Sequence, residues 1–331
     1  MKIFFIISLA LVKIIASIPV RISGFVLTKF SLLIYYLDKK HMNIAIENLK
    51  TAFGDEKSEK EIKAIAKKTF ETLSLTFLDF CRIPKITKEN LNDIVTFENL
   101  DYVKNALARG NGLIFCTAHF GSWELLSHAF AIYFKSMNVI VRPLDNRVFD
   151  MVVFKYRTLS GNKIIAKKNG MKHILKALRR KEIIGTLNDQ NVKYSEGVFV
   201  DFFGKKACTN FVLALLSLRT DVPVVPGFII REGLNRYRIK FEKPVEIDKG
   251  IDRKKYLVDF TQALTRVIED YIREYPEQWF WVHRRWKTRP KVLIKECKEK
   301  GSRDLVTKDL SENQIPPLPP FSKGGMGGLN T

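Results

Sequence analysis

Residues 111–125, NGLIFCTAHFGSWEL, decide the fold of this chain. An apolar run over residues 112–118 predicts a buried strand, and a helix-favouring stretch follows Gly121. His119 comes directly after the strand and Glu124 five residues later, so an imidazole and a carboxylate stand at a strand end, where α/β folds carry their active sites. Gly121 lets the backbone approach a ligand closely. An unperturbed histidine titrates near neutral pH, so this pair suits a general base that acts on a hydroxyl.

The spacing of the pair is weak support by itself. With 35 acidic residues among 331, a histidine meets an acid at the fifth following position by chance in roughly one case in ten. A second interpretation makes His119 a core histidine at a turn and Glu124 a solvated first-turn acid favoured by the helix dipole. A third is a Cys–His nucleophilic pair with Cys116, although a strand cysteine is more often a small buried hydrophobe. Backbone N–H groups near Phe120 to Trp123 are the candidates to hold an oxyanion.

Strands and helices alternate beyond about residue 94. The candidate strands are residues 112–118, 139–142, 183–187, 198–203, 222–230 and 237–241, and the candidate helices are residues 123–134, 149–159, 172–180, 211–219 and 256–275. A helical segment over residues 41–82 precedes them. This alternation predicts an α/β fold with a mixed, partly parallel sheet that is flanked by helices.

Two further groups of polar residues follow candidate strands. Residues 142–146, RPLDN, begin with Arg142, whose guanidinium suits phosphate or carboxylate, and end with Asn146. The alternative is a surface turn with a solvated charge. Asp189 follows the run 183–187 and is placed to orient His119 and support its charged form. The alternative there is a turn built from Asp and Asn side chains.

The charge of the chain is strongly positive, with 56 basic against 35 acidic residues and a net charge of +21. Such a field attracts nucleic acid, phosphorylated lipid headgroups or an acidic protein. The segment 277–289 interleaves three Trp with basic residues, which suits a membrane interface or single-stranded nucleic acid. No recognised nucleic-acid-binding motif occurs, so we expect no nucleic-acid partner, and no Walker A motif, dinucleotide fingerprint or G-x-S-x-G elbow occurs. The four Cys lack metal-ligand spacing, so we expect neither a metal nor another cofactor.

The N-terminus is apolar over two runs that are separated by single basic residues. We expect residues 1–38 to form a membrane anchor or an interfacial segment, and the alternative is a buried helix pair. Residues 39–300 are the expected catalytic domain. Residues 301–331 are rich in Pro and Gly, and we expect them to be disordered.

Several segments in order resemble one protein family. HFGSWE, RPLDN, the DQ pair, GVFVDFFGKKACT, PGFIIRE and PEQWFWVHRRWK resemble the bacterial lipid A biosynthesis acyltransferases, over residues 1 to about 290. The resemblance implies an O-acyltransferase with a glycerol-phosphate acyltransferase-like fold. It also implies an anchor in the bacterial inner membrane and a catalytic domain that faces the cytoplasm. The donor would be an acyl–acyl carrier protein thioester, and the acceptor a hydroxyl of a phosphorylated, Kdo-bearing lipid A precursor.

The resemblance also implies site residues. His119 and Glu124 match the catalytic motif of the family, and Arg142 and Asp189 match further polar positions. We expect the catalytic residues to be His119, Glu124 and Asp189, and the substrate-binding residues to be Arg142, Gly121, Trp123 and Asn146.

The match to the family pattern has two departures. Arg147 stands where the family often has Pro, and Asn191 stands where an acid is frequent.

Two other functions remain open at this point. One is an acyltransferase of the same fold that acts on another glycolipid or polar lipid. The other is a basic, non-catalytic protein that binds nucleic acid or a membrane surface, and that protein would be indifferent to loss of His119.

Overall fold

The computed structural model describes residues 1–290 together with the strand segments 292–294 and 307–309. The helices are α1 (Lys2–Ser17), α2 (Val20–Leu37), α3 (Lys39–Phe53), α4 (Glu59–Arg82), α5 (Leu91–Ile94), α6 (Leu100–Ala108), α7 (Trp123–Tyr133), α8 (Arg147–Arg157), α9 (Met171–Arg179), α10 (Val212–Thr220) and α11 (Arg253–Glu274). The strands are β1 (Val95–Glu98), β2 (Leu113–Thr117), β3 (Met137–Val141), β4 (Lys163–Ala166), β5 (Ile183–Leu187), β6 (Gly197–Phe202), β7 (Lys205–Asn210), β8 (Val224–Gly233), β9 (Arg236–Phe241), β10 (Val292–Ile294) and β11 (Thr307–Asp309). The disorder expected for 301–331 lies outside the described residues, except that β11 pairs antiparallel with β10.

The main sheet has the strand order β1-β9-β8-β2-β5-β3-β4. The pairs from β8 to β4 are parallel, β9 is antiparallel to β8, and β1 is parallel to β9. The predicted α/β class with a mixed, partly parallel sheet is therefore confirmed. The candidate strand at 198–203 lies outside this sheet, in the separate β6–β7 hairpin. The four-residue edge strands β1 and β4 were missed because they are too short for a clear hydrophobic pattern.

Helices cover both faces of the sheet. Phe115 of β2 stacks on Phe130 of α7 at 4.5 Å between ring centroids, in a core cluster on one face. The neighbouring Ile114 belongs to the cluster that α9, α10 and α11 form on the other face. This division follows from the two-residue period of a strand and from right-handed crossovers. The path from β2 through β3 to β4 places α7 and α8 on one face, and the return from β4 to β5 places α9 on the opposite face.

The N-terminal helices lie against the α8 side of the domain. Val12 and Ala16 of α1 are buried with Phe80 of α4 and Val153 of α8. The outward side of both helices is apolar, and its exposed side chains include Ile3, Phe4, Ile7, Leu11, Ile14, Ile22, Phe25, Val26, Phe30 and Leu33. The buried helix pair is therefore the wrong alternative. Val20–Leu37 is long and apolar enough to cross a membrane, and 22% of that window is buried inside the protein.

Part of the segment 277–289 is buried in the core, which corrects its interpretation as an exposed surface for a membrane. Trp279, Trp281 and Arg285 are each at most 1% exposed. The Arg285 guanidinium donates to the carbonyl oxygen of Cys208 at 3.1 Å, and its charge lies over the Phe202 ring. The tryptophans alternate with Phe280 and Val282, so one side of an extended segment turns inward.

Strand order brings two distant polar residues to one place. Thr117 of β2 is paired with Leu187 of β5 in a parallel register. His119 and Asp189 each follow two residues later, so both leave the sheet at the carboxyl ends of neighbouring strands. Open α/β sheets bind their ligands at this edge.

Candidate active site

The His119 imidazole lies against the Asp189 carboxylate. Nδ1 of His119 is 2.8 Å from Oδ1 of Asp189, and the His119 backbone N–H donates to Oδ2 at 3.0 Å. The indole N–H of Trp279 donates to the same Oδ2 at 2.8 Å. The Asp189 side chain is 0% exposed, whereas that of His119 is 25% exposed. This contact assigns the proton to Nδ1 and leaves the lone pair of Nε2 free to accept a proton.

The environment keeps Asp189 charged. Burial opposes the charge, but the adjacent imidazole and its hydrogen bond outweigh it, with help from His283 and the Trp279 N–H. The pKa of Asp189 is therefore held well below its usual range. A carboxylate that stays ionised fixes the imidazole tautomer and stabilises positive charge on the ring.

Glu124 has a different partner. Its carboxylate accepts two hydrogen bonds from Nε of Arg157, at 2.9 and 3.2 Å, and a third from Nη2. The Glu124 and Arg157 side chains are only 13% and 19% exposed. Of the two acids that the sequence left open, Asp189 is the one that contacts His119. Glu124 lines the same cleft at the start of α7.

Two residues of this arrangement were missed by sequence reasoning. Arg157 lies four residues after the buried Val153, on the inner side of α8, and a long basic side chain in that position signals a buried acid. Trp279 lies on the inward side of the alternating segment described above. A buried indole needs an acceptor for its N–H, and here the acceptor is Asp189.

Three other residues were predicted to bind substrate, and the structure gives each of them different contacts. Trp123 lines the cleft, with its ring edge to the His119 imidazole at 5.4 Å. Arg142 lines the cleft but is 78% exposed and pairs with Asp145 at 3.1 Å. Oδ1 of Asn146 accepts the first N–H groups of α8, from Val148 and Phe149, both at 3.0 Å. The structure thus gives the Asn146 oxygen a helix-capping role.

Two of the backbone N–H groups that were expected to hold an oxyanion donate hydrogen bonds to other carbonyl oxygens. The Phe120 N–H donates to Ala118 and the Gly121 N–H donates to Gln278, both at 2.8 Å. These two groups therefore do not face the cleft as donors. The next N–H groups, from Ser122 and Trp123, stand at the start of α7, where a helix leaves its first N–H groups without intrahelical partners. The N-terminus of α7 is therefore the part of this turn that suits a developing negative charge.

Gly121 is fixed between two neighbouring segments. Its carbonyl accepts from Oγ1 of Thr76 at 3.0 Å, and its φ of +57° lies in the left-handed region. A Cβ atom at this position would lie 2.0 Å from the carbonyl oxygen of Ile229. The glycine is thus required by space as well as by conformation.

The first prediction concerns this glycine. We expect Gly121→Ala to lower the free energy of unfolding by about 2–4 kcal/mol, because both strain and backbone overlap are introduced. Urea unfolding of the full chain in detergent measures the change. Gly110→Ala is the matched control, since Gly110 has a φ of +71° but no atom within 4 Å of the added Cβ. It should cost only about 1–2 kcal/mol. Equal losses for the two variants would contradict the spatial part of the explanation.

The cleft above the His119–Asp189 pair has a volume of about 980 Å³. One wall is apolar and consists of Leu73, Phe77 and Phe80 of α4 with Phe149 and Val153 of α8. The floor is formed by the carboxyl ends of β2, β3 and β5, and the opposite wall by the start of α9. A space of this size and composition suits a long apolar chain with one reacting polar centre.

Cys116 does not form a nucleophilic pair with His119. The Cys116 side chain is 1% exposed in the core cluster on the α9 face of the sheet, and burial raises its pKa well above the usual range. A thiol with such a pKa is not a nucleophile at neutral pH. Within residues 1–290, no group of three or more His, Cys, Asp or Glu side chains is arranged to hold a metal ion.

Comparison of the sequence with known proteins identifies one family. The family model described as bacterial lipid A biosynthesis acyltransferase matches residues 1–288. The lipid A biosynthesis palmitoleoyltransferase of Escherichia coli K12 is 26% identical over 257 residues, which cover 76% of this chain and 80% of that protein. The lauroyltransferase of the same strain is 25% identical over 256 residues, covering 76% and 81%. The 1-acyl-sn-glycerophosphate acyltransferase of Thermotoga maritima is 13% identical with a TM-score of 0.37, covering 79% of this chain and all of that one.

Proposed function

This chain belongs to the bacterial lipid A biosynthesis acyltransferase family and is an O-acyltransferase, and we propose that His119 is its general base and an acyl carrier protein thioester its donor. The acceptor is a hydroxyl of a lipid A precursor of the Kdo-lipid IVA type. Because the chain belongs to a family of acyltransferases, its interpretation as a non-catalytic basic binding protein is excluded. The single observation that carries the proposed mechanism is the His119–Asp189 pair at the floor of the cleft.

The reaction starts at Nε2 of His119. The acceptor hydroxyl donates its proton to Nε2 while its oxygen attacks the thioester carbonyl carbon, and a C–O bond forms. The charge that develops on the ring is stabilised by the buried Asp189 carboxylate, which already holds Nδ1 at 2.8 Å. Nε2 of Gln190 lies 3.4 Å from Nε2 of His119. The acceptor hydroxyl therefore takes the place of the Gln190 amide.

The tetrahedral intermediate then loses the carrier thiol. Its oxyanion lies near the N–H groups at the start of α7, and the C–S bond breaks as the carbonyl re-forms. A thiol with a pKa of about 8.5 leaves readily as the thiolate. The imidazolium of His119 returns its proton to that thiolate, so the protein ends the cycle unchanged.

The exposed apolar side of α1 and α2 supports a position at a membrane surface. It continues onto α8, where Phe149 and Phe154 are 39% and 54% exposed. Phe149 also lines the cleft, so the exposed apolar surface leads into the space above His119. A lipid acceptor then reaches the base from the bilayer, which we propose to be the inner membrane with the catalytic domain on its cytoplasmic side. Arg142, at the cleft mouth, is placed to bind an acceptor phosphate.

The acceptor is tested by competition between lipids. Detergent-solubilised lipid A precursor and lysophosphatidate are supplied in parallel with radiolabelled acyl–acyl carrier protein. We expect label in the lipid A precursor, and mass spectrometry of the product then gives the length of the added chain. Label in lysophosphatidate alone would refute the lipid A acceptor and favour a different lipid substrate of the same fold.

A further inference from the structure

A strongly basic stripe begins at the cleft and runs along α9. Residues 167–181, KKNGMKHILKALRRK, contain seven Lys or Arg residues and no Asp or Glu. Lys172, Lys176 and Arg179 are exposed on one side of the helix, while Ile174 is buried beneath them. From Lys172 to Arg180 the stripe extends about 12 Å at 1.5 Å per residue.

The beginning of the stripe is unfavourable for α9, whereas Lys176 and Arg179 lie in the last turn, where the helix dipole favours positive charge. The first turn of α9 contains no acid, and its N-cap, Gly170, makes no side-chain cap hydrogen bond. Lys172 places a positive charge at the positive end of the helix dipole, and like charges follow at i+4 in Lys176 and Arg180. Within residues 1–290, no ion pair engages Lys172, Lys176 or Arg179, and only Lys167 has a carboxylate partner, Glu196 at 3.5 Å. Charges kept at such a local cost point to an external anionic partner.

The location of the stripe relates it to catalysis. Lys167, Gly170 and Met171, at its beginning, line the cleft that contains His119. The helix packs on the sheet face opposite to α7 and α8, in the core cluster of α10 and α11. The exposed apolar surface of α1, α2 and α8 is on the other face. The cleft thus has an apolar wall on one side and a basic helix on the other.

We propose that the exposed basic side of α9 is the docking surface for the acidic carrier protein, which inserts its acyl thioester into the cleft past Lys167. This inference rests on the proposed donor and identifies where that donor binds. The two substrates then approach from opposite faces of the sheet, with the lipid on the α8 side and the carrier on the α9 side. Charge complementarity steers the carrier, while the thioester arm, which is flexible and apolar at its end, occupies the cleft.

An anionic bilayer is the less suitable partner for this stripe. Basic residues that bind a membrane surface flank the apolar residues that insert into it. Ile174, Ala177 and Leu178 of α9 are all buried in the core, and the exposed side of the helix has no large apolar residue. The membrane-facing surface is formed by helices of the other layer.

The test reverses three charges, in Lys172→Glu/Lys176→Glu/Arg179→Glu. None of these residues lines the cleft. Acyl transfer is measured with acyl–acyl carrier protein and, separately, with acyl-pantetheine, which has the thioester but no protein. We expect the KM for the carrier protein to rise about tenfold or more at low salt, with kcat and acyl-pantetheine turnover unchanged. The wild-type KM for the carrier should rise with salt, and the variant should lose that dependence.

The matched control is Lys60→Glu/Lys68→Glu/Lys104→Glu, which changes the net charge equally at exposed positions on α4 and α6. It should leave the KM for the carrier within about twofold of wild type. An equal rise in the control, or an equal loss with acyl-pantetheine, would overturn the docking surface. So would an unchanged KM with loss of binding to anionic phospholipid vesicles, because the stripe would then serve a membrane. If wild type transfers no acyl group from either thioester, the proposed function itself fails.

Discussion

Replacing His119 with alanine should lower the turnover of acyl transfer by about a hundredfold or more, the contribution typical of a positioned general base. In the proposed mechanism Nε2 of His119 accepts the proton while Asp189 holds Nδ1, and an alanine leaves the attacking hydroxyl without a proton acceptor. Affinity for the lipid should change little, because the cleft walls on α4 and α8 remain intact. Initial rates with labelled acyl–acyl carrier protein, compared with equilibrium lipid binding, separate these two effects.

The control for this variant is His41→Ala. His41 also pairs with an aspartate, Asp38 at 2.6 Å, but lies at the start of α3 and does not line the cleft. Its replacement should leave turnover within about twofold, since the pair is half-exposed and contributes little. If His119→Ala retained full acyl transfer, the proposed base would be wrong, whatever the acceptor lipid.

The strand–turn–helix unit around His119 was predictable because its signals are local. An apolar run and an amphipathic stretch that begins after Gly121 gave β2 and α7 within a residue or so of their observed ends. The hydrogen-bond partner of His119 could not be predicted from a local pattern in the same way. Both Asp189 and Glu124 were chemically suitable, and the choice depends on the fact that β5, and not β3, is the neighbour of β2 on that side of the sheet. Strand order arises from the packing of the whole domain, so no local pattern reports it.

The aromatic segment shows where composition misleads. Three Trp among basic residues were interpreted as a surface for lipid or nucleic acid, yet Trp279 and Trp281 are core residues. The alternation of Trp279 and Trp281 with Phe280 and Val282 was the better guide, because a two-residue period indicates an extended segment with one buried side. That segment pairs with the residues that follow β2, where the Phe280 N–H donates to the His119 carbonyl at 3.0 Å. Its burial is therefore part of how the imidazole is positioned.

Asp189→Asn should reduce turnover by about a hundredfold or more, comparable to His119→Ala, because the variant disables the same base. The introduced asparagine would be similar in size, but its amide N–H would donate to Nδ1 of His119 and shift the ring proton to Nε2. The ring then presents a donor to the acceptor hydroxyl and is unable to take its proton. Loss of the negative charge also removes the stabilisation that the proposed mechanism gives to the protonated ring during the reaction.

The pH dependence of stability provides an independent measurement on the same residue. The pKa of Asp189 is lower in the folded protein than in the unfolded chain, so its ionised form stabilises the fold. That contribution is fully present above about pH 4 and is lost as the pH falls through the folded-state value. Urea unfolding at pH 7 and at about pH 3 should therefore show a smaller difference for Asp189→Asn than for wild type.

Asp79→Asn is the matched control for the turnover measurement. Asp79 is also buried and paired with Arg231 and Tyr237, but it does not line the cleft. Its replacement should destabilise the fold because it leaves a buried arginine without its charge partner, yet the turnover of the folded enzyme should stay near the wild-type value. This variant thus separates the effect of a destabilised fold from the effect of losing the orientation of the His119 imidazole. Near-normal turnover in Asp189→Asn would leave the orienting role to Glu124 and Arg157, against the hydrogen bonds between His119 and Asp189.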